Sequence, residues 1–257
     1  MKRCAMTLCR ICGAKTDFIF KKKIMNKYDG SYYKCSQCDF IQVNDPFWLK
    51  EAYSNPINDE DTGILQRNID LSLITAMIIA IYFNKRGHFL DFGGGYGIFS
   101  RLMNDYGIDF KTYDKHTQNL FGKGLEADME RSEKYDVATA FELIEHLERP
   151  LEEKKTIFTK TDTIVFSTTL YTGDYPNPDK WEYYGFSHGQ HISFFSRNTL
   201  EFIACELGKR LYSDGSRVHI LTNRKINSFI FRLIVRFSVV IPRQLIKLIL
   251  KAKELIK

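Results

Sequence analysis

A short glycine-rich stretch constrains the fold of this chain more than any other feature. In "HFLDFGGGYGIFSRLM", residues 88–103, an apolar run leads into four glycines within five positions, and a helical pattern follows. Glycines let the backbone turn sharply and let a ligand approach it closely. The stretch therefore predicts a strand, a ligand-binding turn and a helix of an α/β domain.

Strand and helix patterns alternate along the rest of the chain. We expect strands at 88–92, 109–114, 135–141 and 162–170, helices at 98–107, 142–150 and 197–208, and a strand pair at 209–223. The apolar stretch at 71–83 is too short to cross a bilayer and predicts a buried helix. Such alternation predicts an α/β fold with a mainly parallel sheet, to which the final strand pair adds an antiparallel edge. In sheets of this kind ligands bind beyond the carboxyl ends of the strands, where the glycine loop lies.

The residues around the glycines separate three classes of ligand. A Walker A loop places Lys and then Ser or Thr directly after its last glycine, whereas Gly97 is followed by "IFS". ATP binding of that kind is therefore excluded. A dinucleotide fingerprint, GxGxxG, would need glycine at Ile98 when it is counted from Gly93 and Gly95, so NAD is disfavoured without being excluded.

The remaining pattern, an Asp at a strand end followed by GxGxG, resembles motif I of the class I S-adenosylmethionine-dependent methyltransferases. The resemblance implies a Rossmann-like, seven-stranded, mostly parallel sheet and S-adenosyl-L-methionine as the cofactor. It also implies that the loop contacts the methionine part of the cofactor, while Asp91 fixes the loop and the amino group. The four loop glycines are Gly93, Gly94, Gly95 and Gly97.

Two further acids match cofactor-binding positions of that family. Asp114 ends the predicted second strand, 23 residues after Asp91, where the resemblance implies a carboxylate that accepts both ribose hydroxyls. Alone, Asp114 would be interpreted as a surface turn residue, but loop and acid together favour the binding role. Asp128 in "GLEADME" resembles the next position, where an acid meets the adenine amino group, although the strand before it is indistinct.

The segment "YDVATAFELIEHLERP" carries a third match. It resembles the methyltransferase segment in which a strand leads into Glu-x-x-Glu-His-Leu and a proline. The resemblance places Glu142, Glu145 and His146 near the mouth of the cofactor or substrate site. A helix N-terminus, which favours acids through its dipole, would account for the glutamates but not for the histidine.

Four of the six cysteines form two CxxC pairs near the N-terminus, in the pattern C-x2-C-x22-C-x2-C. This spacing allows two knuckles to meet around one tetrahedral Zn²⁺, with free buried cysteines as the alternative. A site closed by four thiolates has no open position, so we expect a structural role or a platform for substrate. Cys205 falls in a predicted helix and is expected in the core. The predicted zinc ligands are Cys9, Cys12, Cys35 and Cys38.

The order of cysteine pairs and glycine loop resembles a methyltransferase family with an N-terminal zinc-binding module, over residues 9 to 222. That family includes enzymes acting on nucleotide-linked sugars. Tyr53 and Arg67 match positions that would close over the cofactor.

A long loop before the helix at 197–208 is expected to hold the acceptor. This stretch, "YTGDYPNPDKWEYYGFSHGQHISFFS", combines aromatic residues with a few polar groups, which suits a sugar or another small polar molecule. In-line methyl transfer gains much of its rate from positioning, and a hydroxyl acceptor also needs a base. Histidine titrates in the useful range, so we expect His191 as the base, then His146, then His188. The prediction is O-methylation of a small polar or glycan-type acceptor, such as a nucleotide sugar or a surface polysaccharide component.

Charge and hydropathy divide the chain into three expected parts. Residues 224–257 hold nine basic residues and one acid, so the tail has a net charge of +8. The whole chain has a net charge of +6, so the remainder carries about −2. The tail suits either an anionic membrane surface or a helix pair packed on the domain or on a second subunit, and we favour packing. We expect a zinc-binding module at 1–48, a methyltransferase domain at 49–222 and a basic helical tail at 223–257.

Two other functions compete with this interpretation. An RNA methyltransferase would use the zinc module and the tail to bind nucleic acid, but the slightly acidic body and the lack of an Asn-Pro-Pro-Tyr or Pro-Cys element disfavour nucleic acid as a partner. A cofactor-free interaction module is disfavoured because the cofactor-side acids are present.

The N-terminus lacks an uninterrupted apolar core, so we expect a reduced, cytoplasmic protein, peripheral at the inner face of the membrane if the tail binds lipid. The sequence leaves the oligomeric state open.

Overall fold

The computed structural model describes residues 7–54 and 61–255 of the chain. Eleven strands and seven α-helices are described. The strands are β1 Thr16–Ile24, β2 Tyr28–Cys35, β3 Ile41–Asn44, β4 Phe89–Phe92, β5 Phe110–Tyr113, β6 Val137–Ala140, β7 Thr163–Ser167, β8 Leu170–Tyr171, β9 Ser193–Ser196, β10 Arg210–Ser213 and β11 Val218–Thr222. The helices are α1 Leu49–Ala52, α2 Ile64–Tyr82, α3 Ile98–Asp105, α4 Pro150–Phe158, α5 Arg197–Glu206, α6 Ser228–Phe237 and α7 Arg243–Leu255.

The larger sheet has six strands in the order β10-β11-β7-β6-β4-β5. Pairing is parallel between β5, β4, β6 and β7, and antiparallel between β7, β11 and β10. The predicted α/β sheet with an antiparallel edge is thus confirmed. Strands β4, β6 and β7 are buried at every position, which is typical of parallel strands covered by helices on both faces.

The predicted count of seven strands is wrong for the described residues, because the strand expected before Asp128 is reduced to one bridge. Thr112 of β5 pairs with Glu126 there, through hydrogen bonds to the carbonyl of Leu125 at 2.7 Å and from the amide of Ala127 at 2.8 Å. The chain on either side of this bridge is polar and mostly exposed, so it has no apolar run to bury against the sheet.

The segment after β6 also differs from the helix predicted at 142–150. Residues Ile144–His146 form one 3₁₀ turn, and α4 begins only at Pro150. Glu142 adopts a φ of +47°, outside the helical region, so the chain turns sharply at the end of β6. Pro150 stands at the first helical position, where its missing amide hydrogen leaves no bond unmade.

A second sheet joins the N-terminal segment to the loop expected to hold the acceptor. Its order is β1-β2-β3-β9-β8, with β3 antiparallel to β9 and β8 parallel to β9. The first CxxC pair precedes β1, and the second begins at Cys35, the last residue of β2, and ends in the turn after it; β9 begins two residues after His191. The division at 1–48 and 49–222 stays a prediction, and the two parts share this sheet.

Helix α2 forms the centre of the largest core cluster. Residues of α2 pack there with Phe89 and Phe110 of the sheet, and with Phe231 of α6 and Ile246 of α7. Among the described residues, α2 alone is long and apolar enough to cross a membrane, and half of its apolar stretch is buried inside the protein. The prediction of a buried helix at 71–83 is confirmed. The expectation for Cys205 is wrong, because this cysteine lies on the exposed side of α5.

Candidate active site

The glycine loop connects β4 to α3 with a backbone that side chains would obstruct. Gly93, Gly95 and Gly97 have φ values of +74°, +54° and +80°, which L-residues with a Cβ rarely adopt. A Cβ at Gly94 would collide with Thr112 and with the carboxylate of Asp91. The loop therefore needs glycine both for its conformation and for its close packing.

Asp91 lies under the loop at the end of β4 and is 2% exposed. Its carboxylate accepts hydrogen bonds from the hydroxyl of Thr139 at 2.7 Å and from that of Ser100 at 3.4 Å. Burial raises the pKa of Asp91 to about 7, with the two hydroxyls acting in the opposite direction. No ion pair to Asp91 forms among the described residues, so the carboxylate suits a cation held above the loop.

Asp114 follows β5 and holds the glycine loop from the side. Its Oδ2 accepts the amide of Gly95 at 3.0 Å, and its Oδ1 accepts the amides of His116 and Thr117 at 2.8 and 2.7 Å. Asp128 is exposed, accepts the amide of Glu130 at 3.0 Å and pairs with Arg131 at 3.1 Å. The structure thus brings Asp114 to the loop, and neither Asp114 nor Asp128 is among the residues that line the cavity described next. Their roles toward ribose and adenine stay predictions.

One cavity of about 520 Å³ joins the glycine loop to the histidines predicted from the acceptor loop. Its wall on the loop side includes Asp91 and the first three glycines, and its wall on the other side includes the residues of the acceptor loop. The lining residues cited below are Asp61, Arg67, Asp91, Gly93, Gly94, Gly95, Glu142, His146, Glu182, Tyr183, His188, Gln190 and His191.

Glu142 occupies the cavity wall between the loop and the histidines. Its backbone amide donates to Ser167 Oγ at 2.8 Å, and Ser167 Oγ donates back to Glu142 Oε1 at 2.7 Å. The carboxylate also lies 3.7 Å from Arg67 and 3.4 Å from Arg217. Arg67 in turn forms a two-point ion pair with Asp61. This network holds Glu142 in its unusual backbone conformation.

The three predicted histidines lie in one cluster. The ring of His191 is 4.8 Å from that of His146 and 5.0 Å from that of His188, measured between centroids. His191 Nδ1 lies 2.6 Å from the carbonyl oxygen of Tyr183, which identifies Nδ1 as the protonated nitrogen and leaves a lone pair on Nε2. His146 Nδ1 lies 3.0 Å from the hydroxyl of Tyr53.

Burial controls the charge of this cluster. Desolvation lowers the pKa of His191 to about 4, against a backbone hydrogen bond that raises it, and it lowers the pKa of His146 well below 6.5. Both imidazoles are therefore neutral at pH 7. Burial raises the pKa of Glu145, whose Oε1 accepts the hydroxyl of Tyr183 at 2.7 Å. His146 and His191 line the cavity, and perturbed groups at a cavity are typical of a catalytic site.

Several long-range contacts that shape the site carry no recognisable sequence signal. Arg10, inside the first CxxC pair, donates from Nη2 to the carbonyl of Ile192 at 2.8 Å. Gln190 donates to the carbonyl of Ala52 in α1 at 2.9 Å, and Tyr183 donates to Glu145. These bonds join residues 38 to 182 positions apart. Only Tyr53 and Arg67 among the distant residues were indicated by the family resemblance.

The four cysteines of the CxxC pairs lie together. Their sulfur atoms are all within 4.8 Å of one another, with Cys9 and Cys38 at 3.6 Å and Cys12 and Cys35 at 3.3 Å. Tetrahedral thiolates about 2.3 Å from Zn²⁺ would lie about 3.8 Å apart. The backbone amides of Ile11 and residue 37 point to the sulfurs of Cys9 and Cys35 at 3.4 Å. The cluster thus has the ligand type, number and spacing of a structural zinc site.

The glycine loop side of the cavity also fits S-adenosylmethionine. The backbone at Gly95 faces open space, with no atom within 4 Å of the position of a Cβ, so a ligand can approach the main chain there. The buried carboxylate of Asp91 complements an ammonium group in the same cavity. The residues that would hold the methionine part of the cofactor are therefore Asp91, Gly93, Gly94 and Gly95, with Asp114 fixing the loop.

Comparisons with known proteins identify the family of the chain. Residues 67–212, more than half of the chain, match a family model described as a methyltransferase domain. The search of curated proteins found no relative that matches the sequence. Similar solved structures include CalO1, a methyltransferase in calicheamicin biosynthesis in its SAH-bound form, the mitomycin 7-O-methyltransferase MmcR, and a possible histamine N-methyltransferase from Thermotoga maritima.

These structural similarities are distant. CalO1 is 15% identical with a TM-score of 0.44, and the match covers 70% of this chain and 60% of CalO1. MmcR is 13% identical with a TM-score of 0.45, covering 68% of this chain and 60% of MmcR. The Thermotoga maritima protein is 13% identical with a TM-score of 0.45, covering 70% and 98%. The chain thus spans about 60% of the length of CalO1 and MmcR, and none of these similarities identifies its acceptor.

Substitution of Gly97 by Ala should abolish or strongly weaken cofactor binding. The added Cβ would collide with the side-chain oxygen of Asn119, which is held by hydrogen bonds to Gly122 and Glu126, and would lie 3.0 Å from the amide of Gly122. Displacing these groups distorts the loop, so we expect affinity for S-adenosylhomocysteine, measured by titration calorimetry, to fall about tenfold or more.

Gly107→Ala is the matched control. Gly107 has a φ of +76°, but a Cβ there meets no atom within 4 Å. Both variants should lose about 1–2 kcal/mol of unfolding free energy from the left-handed backbone, whereas Gly107→Ala should bind the cofactor normally. Equal affinities in the two variants would show that the collision at Gly97 does not matter.

Proposed function

Since the chain belongs to the methyltransferase domain family, we propose that it methylates a hydroxyl group of a small polar or glycan-type acceptor. Residues 67–212 form the S-adenosylmethionine-dependent methyltransferase domain. The observation that carries the proposal is the single cavity of about 520 Å³ that is lined both by the glycine loop and by His146, His188 and His191. A methyl donor at the loop and an acceptor at the histidines would occupy the same cavity.

The chemistry divides between the two ends of this cavity. When bound, S-adenosylmethionine supplies an electrophilic methyl group on a positively charged sulfur. The chain's own residues position the acceptor and remove its proton, because a neutral hydroxyl is a weak nucleophile. Positioning supplies much of the rate in such displacements.

His191 is the proposed base. Its Nδ1 donates to the carbonyl of Tyr183, so the lone pair on Nε2 can accept the proton of a hydroxyl in the cavity. The pKa of about 4 keeps the ring neutral at pH 7, so the lone pair on Nε2 is available, but the same burial makes His191 a weaker base than a solvent-exposed histidine. His146 and His188 line the same cavity, and we propose that they orient the acceptor beside His191.

The lining of the acceptor side supports a small polar acceptor. Glu142, Glu182 and Gln190 offer hydrogen-bonding groups, and Tyr183 offers an aromatic face next to them. Polar groups set around an aromatic wall suit a ligand with several hydroxyls, such as the sugar of a nucleotide sugar or of a surface polysaccharide.

We also propose that the four clustered cysteines hold a structural Zn²⁺. All four potential ligands are protein sulfurs, so the site leaves no open position for catalysis. Its role follows from Arg10 between Cys9 and Cys12, because this arginine bonds to Ile192 next to the proposed base. The metal would therefore stabilise the acceptor side of the cavity.

A labelled-methyl transfer screen tests the proposed acceptor class. Purified protein is incubated with S-adenosylmethionine labelled at the methyl group and with nucleotide sugars, capsule-type glycans or RNA. We expect transfer to a hydroxyl-bearing sugar, with the label stable to mild acid and base as in an ether. Transfer to RNA alone, or no transfer despite cofactor binding, would contradict the proposal.

His191→Ala should lower kcat for the acceptor found in that screen by roughly 10²–10⁴-fold, the usual contribution of a general base, while cofactor binding is retained. His88→Ala is the matched control, because His88 is exposed and pairs with Asp109 away from the cavity. In the unaltered enzyme saturated with S-adenosylmethionine, whose ammonium group would keep Asp91 ionised, kcat/KM for the acceptor should stay level from about pH 8 to about pH 6. It should fall only as the pH approaches 4, because His191 loses its lone pair on protonation. Unchanged turnover in His191→Ala would refute the base assignment.

Cys35→Ser should remove bound zinc, lower Tm by several degrees and reduce turnover, because it takes away one of four ligands of a buried site. Cys205→Ser, at an exposed cysteine outside the cluster, should change none of these. Metal content by plasma mass spectrometry and thermal melting with and without a chelator give the readout. A protein without metal that melts normally would contradict the zinc assignment.

A further inference from the structure

Helices α6 and α7 bury one side and leave the other side exposed. Phe231, Ile234, Ile246 and Leu250 are at most 6% exposed and pack on α2. Eight of the eighteen exposed large apolar residues in the described chain lie between 229 and 248, so the exposure is concentrated there. We call this surface the tail face; its apolar residues are Phe229, Ile230, Leu233, Phe237, Val239, Val240, Leu245 and Leu248.

The spacing of three exposed apolar residues along α6 places them on one side of that helix. Phe229, Leu233 and Phe237 follow one another at intervals of four residues, so they form one stripe along the helix. Val240, 73% exposed, extends the stripe beyond the end of α6, and Leu248, 61% exposed, adds an apolar position on α7. An exposed apolar stripe of this kind is typical of an interaction site.

Positive charge accompanies these apolar residues. Arg232 and Arg236 are exposed on α6, and Lys247 and Lys251 are exposed on α7. The sequence contains no Asp or Glu between residues 215 and 253, and the one acid of the tail, Glu254, leaves residues 224–257 with a charge of +8. Arg243 differs from these four, because it pairs with Asp105 at 3.2 Å and lies over the ring of Tyr106.

We propose that the tail face binds the surface of an anionic lipid bilayer, with its apolar residues at the level of the acyl chains and its cations at the headgroups. Amphipathic helices with Phe and Leu on one side and flanking Lys and Arg bind membranes in this way, through apolar burial and attraction to anionic lipids. A second copy of the chain fits less well, because it would bring one unbalanced set of cations against another. The inference stands independently of the acceptor.

Vesicle sedimentation tests the proposal. The full chain is mixed with vesicles of phosphatidylcholine alone or with about one third phosphatidylglycerol, at low and high salt. We expect binding to the anionic vesicles, weak binding to the neutral ones, and a loss of affinity as salt screens the cations. Phe229→Ser combined with Leu248→Ser should lower the partition coefficient about tenfold or more. Phe18→Ser, at a residue 57% exposed on β1, is the matched control.

A second pair of variants separates charge from apolar burial. Arg232→Gln with Lys247→Gln should lower binding to anionic vesicles about tenfold or more and leave the weak binding to neutral vesicles unchanged. Arg131→Gln with Arg149→Gln, at two exposed arginines elsewhere, should have no effect. These charge variants remove no buried contact, so they remain informative if the apolar variants fail to fold.

Three results would overturn the proposal. The first is no binding to anionic vesicles at low salt. The second is binding that neither pair of tail-face variants changes. The third is a stable dimer in lipid-free analytical ultracentrifugation that Phe229→Ser dissociates, since this would assign the tail face to a second copy.

Discussion

The peptide of Ile192 joins the three parts of the candidate active site. Its carbonyl accepts the guanidinium of Arg10 at 2.8 Å and the amide of Val43 at 3.0 Å, while its amide donates to the carbonyl of Glu145 at 2.9 Å. The cysteine cluster, the second sheet and the segment after β6 therefore meet at the residue next to His191. Because these bonds are buried, the loss of any one would leave an unpaired polar group and displace the neighbours that it positions.

Burial gives this site its electrostatic character. Desolvation opposes charge of either sign, so it lowers the pKa of His191 and raises that of Glu145. A histidine that is neutral at rest must still become a cation if it accepts a proton. The charge of Glu142 raises the pKa of His191 and would stabilise that cation. The ion pairs of Glu142 with Arg67 and Arg217 hold its carboxylate near the cluster. The charge of Arg67 itself lowers the pKa of His191, so this wall offsets the effect of burial only in part.

Local patterns made much of the fold and site predictable, and long-range contacts account for most of the rest. The glycine loop, the alternation of strands and helices and the CxxC spacing are signals within short segments, and the structure has each of these features. The seventh strand and the helix at 142–150 were predicted from family resemblance or periodicity, but a polar segment and the turn at Glu142 prevent them. Arg10 could not be identified from the sequence, because its partner lies 182 residues away and one arginine between cysteines resembles any other.

Helix α2 explains why the fold includes the tail helices. Buried residues occupy every side of α2 between Leu71 and Ala80, so the helix needs apolar neighbours on the side away from the sheet as well as on the side facing it. Phe231 of α6 and Ile246 of α7 supply them. The N-terminal part of the same helix lines the cavity through Arg67. The tail therefore stabilises a helix that forms part of the site. Packing against α2 explains the buried side of the tail helices, but it does not explain the exposed apolar residues of the tail face.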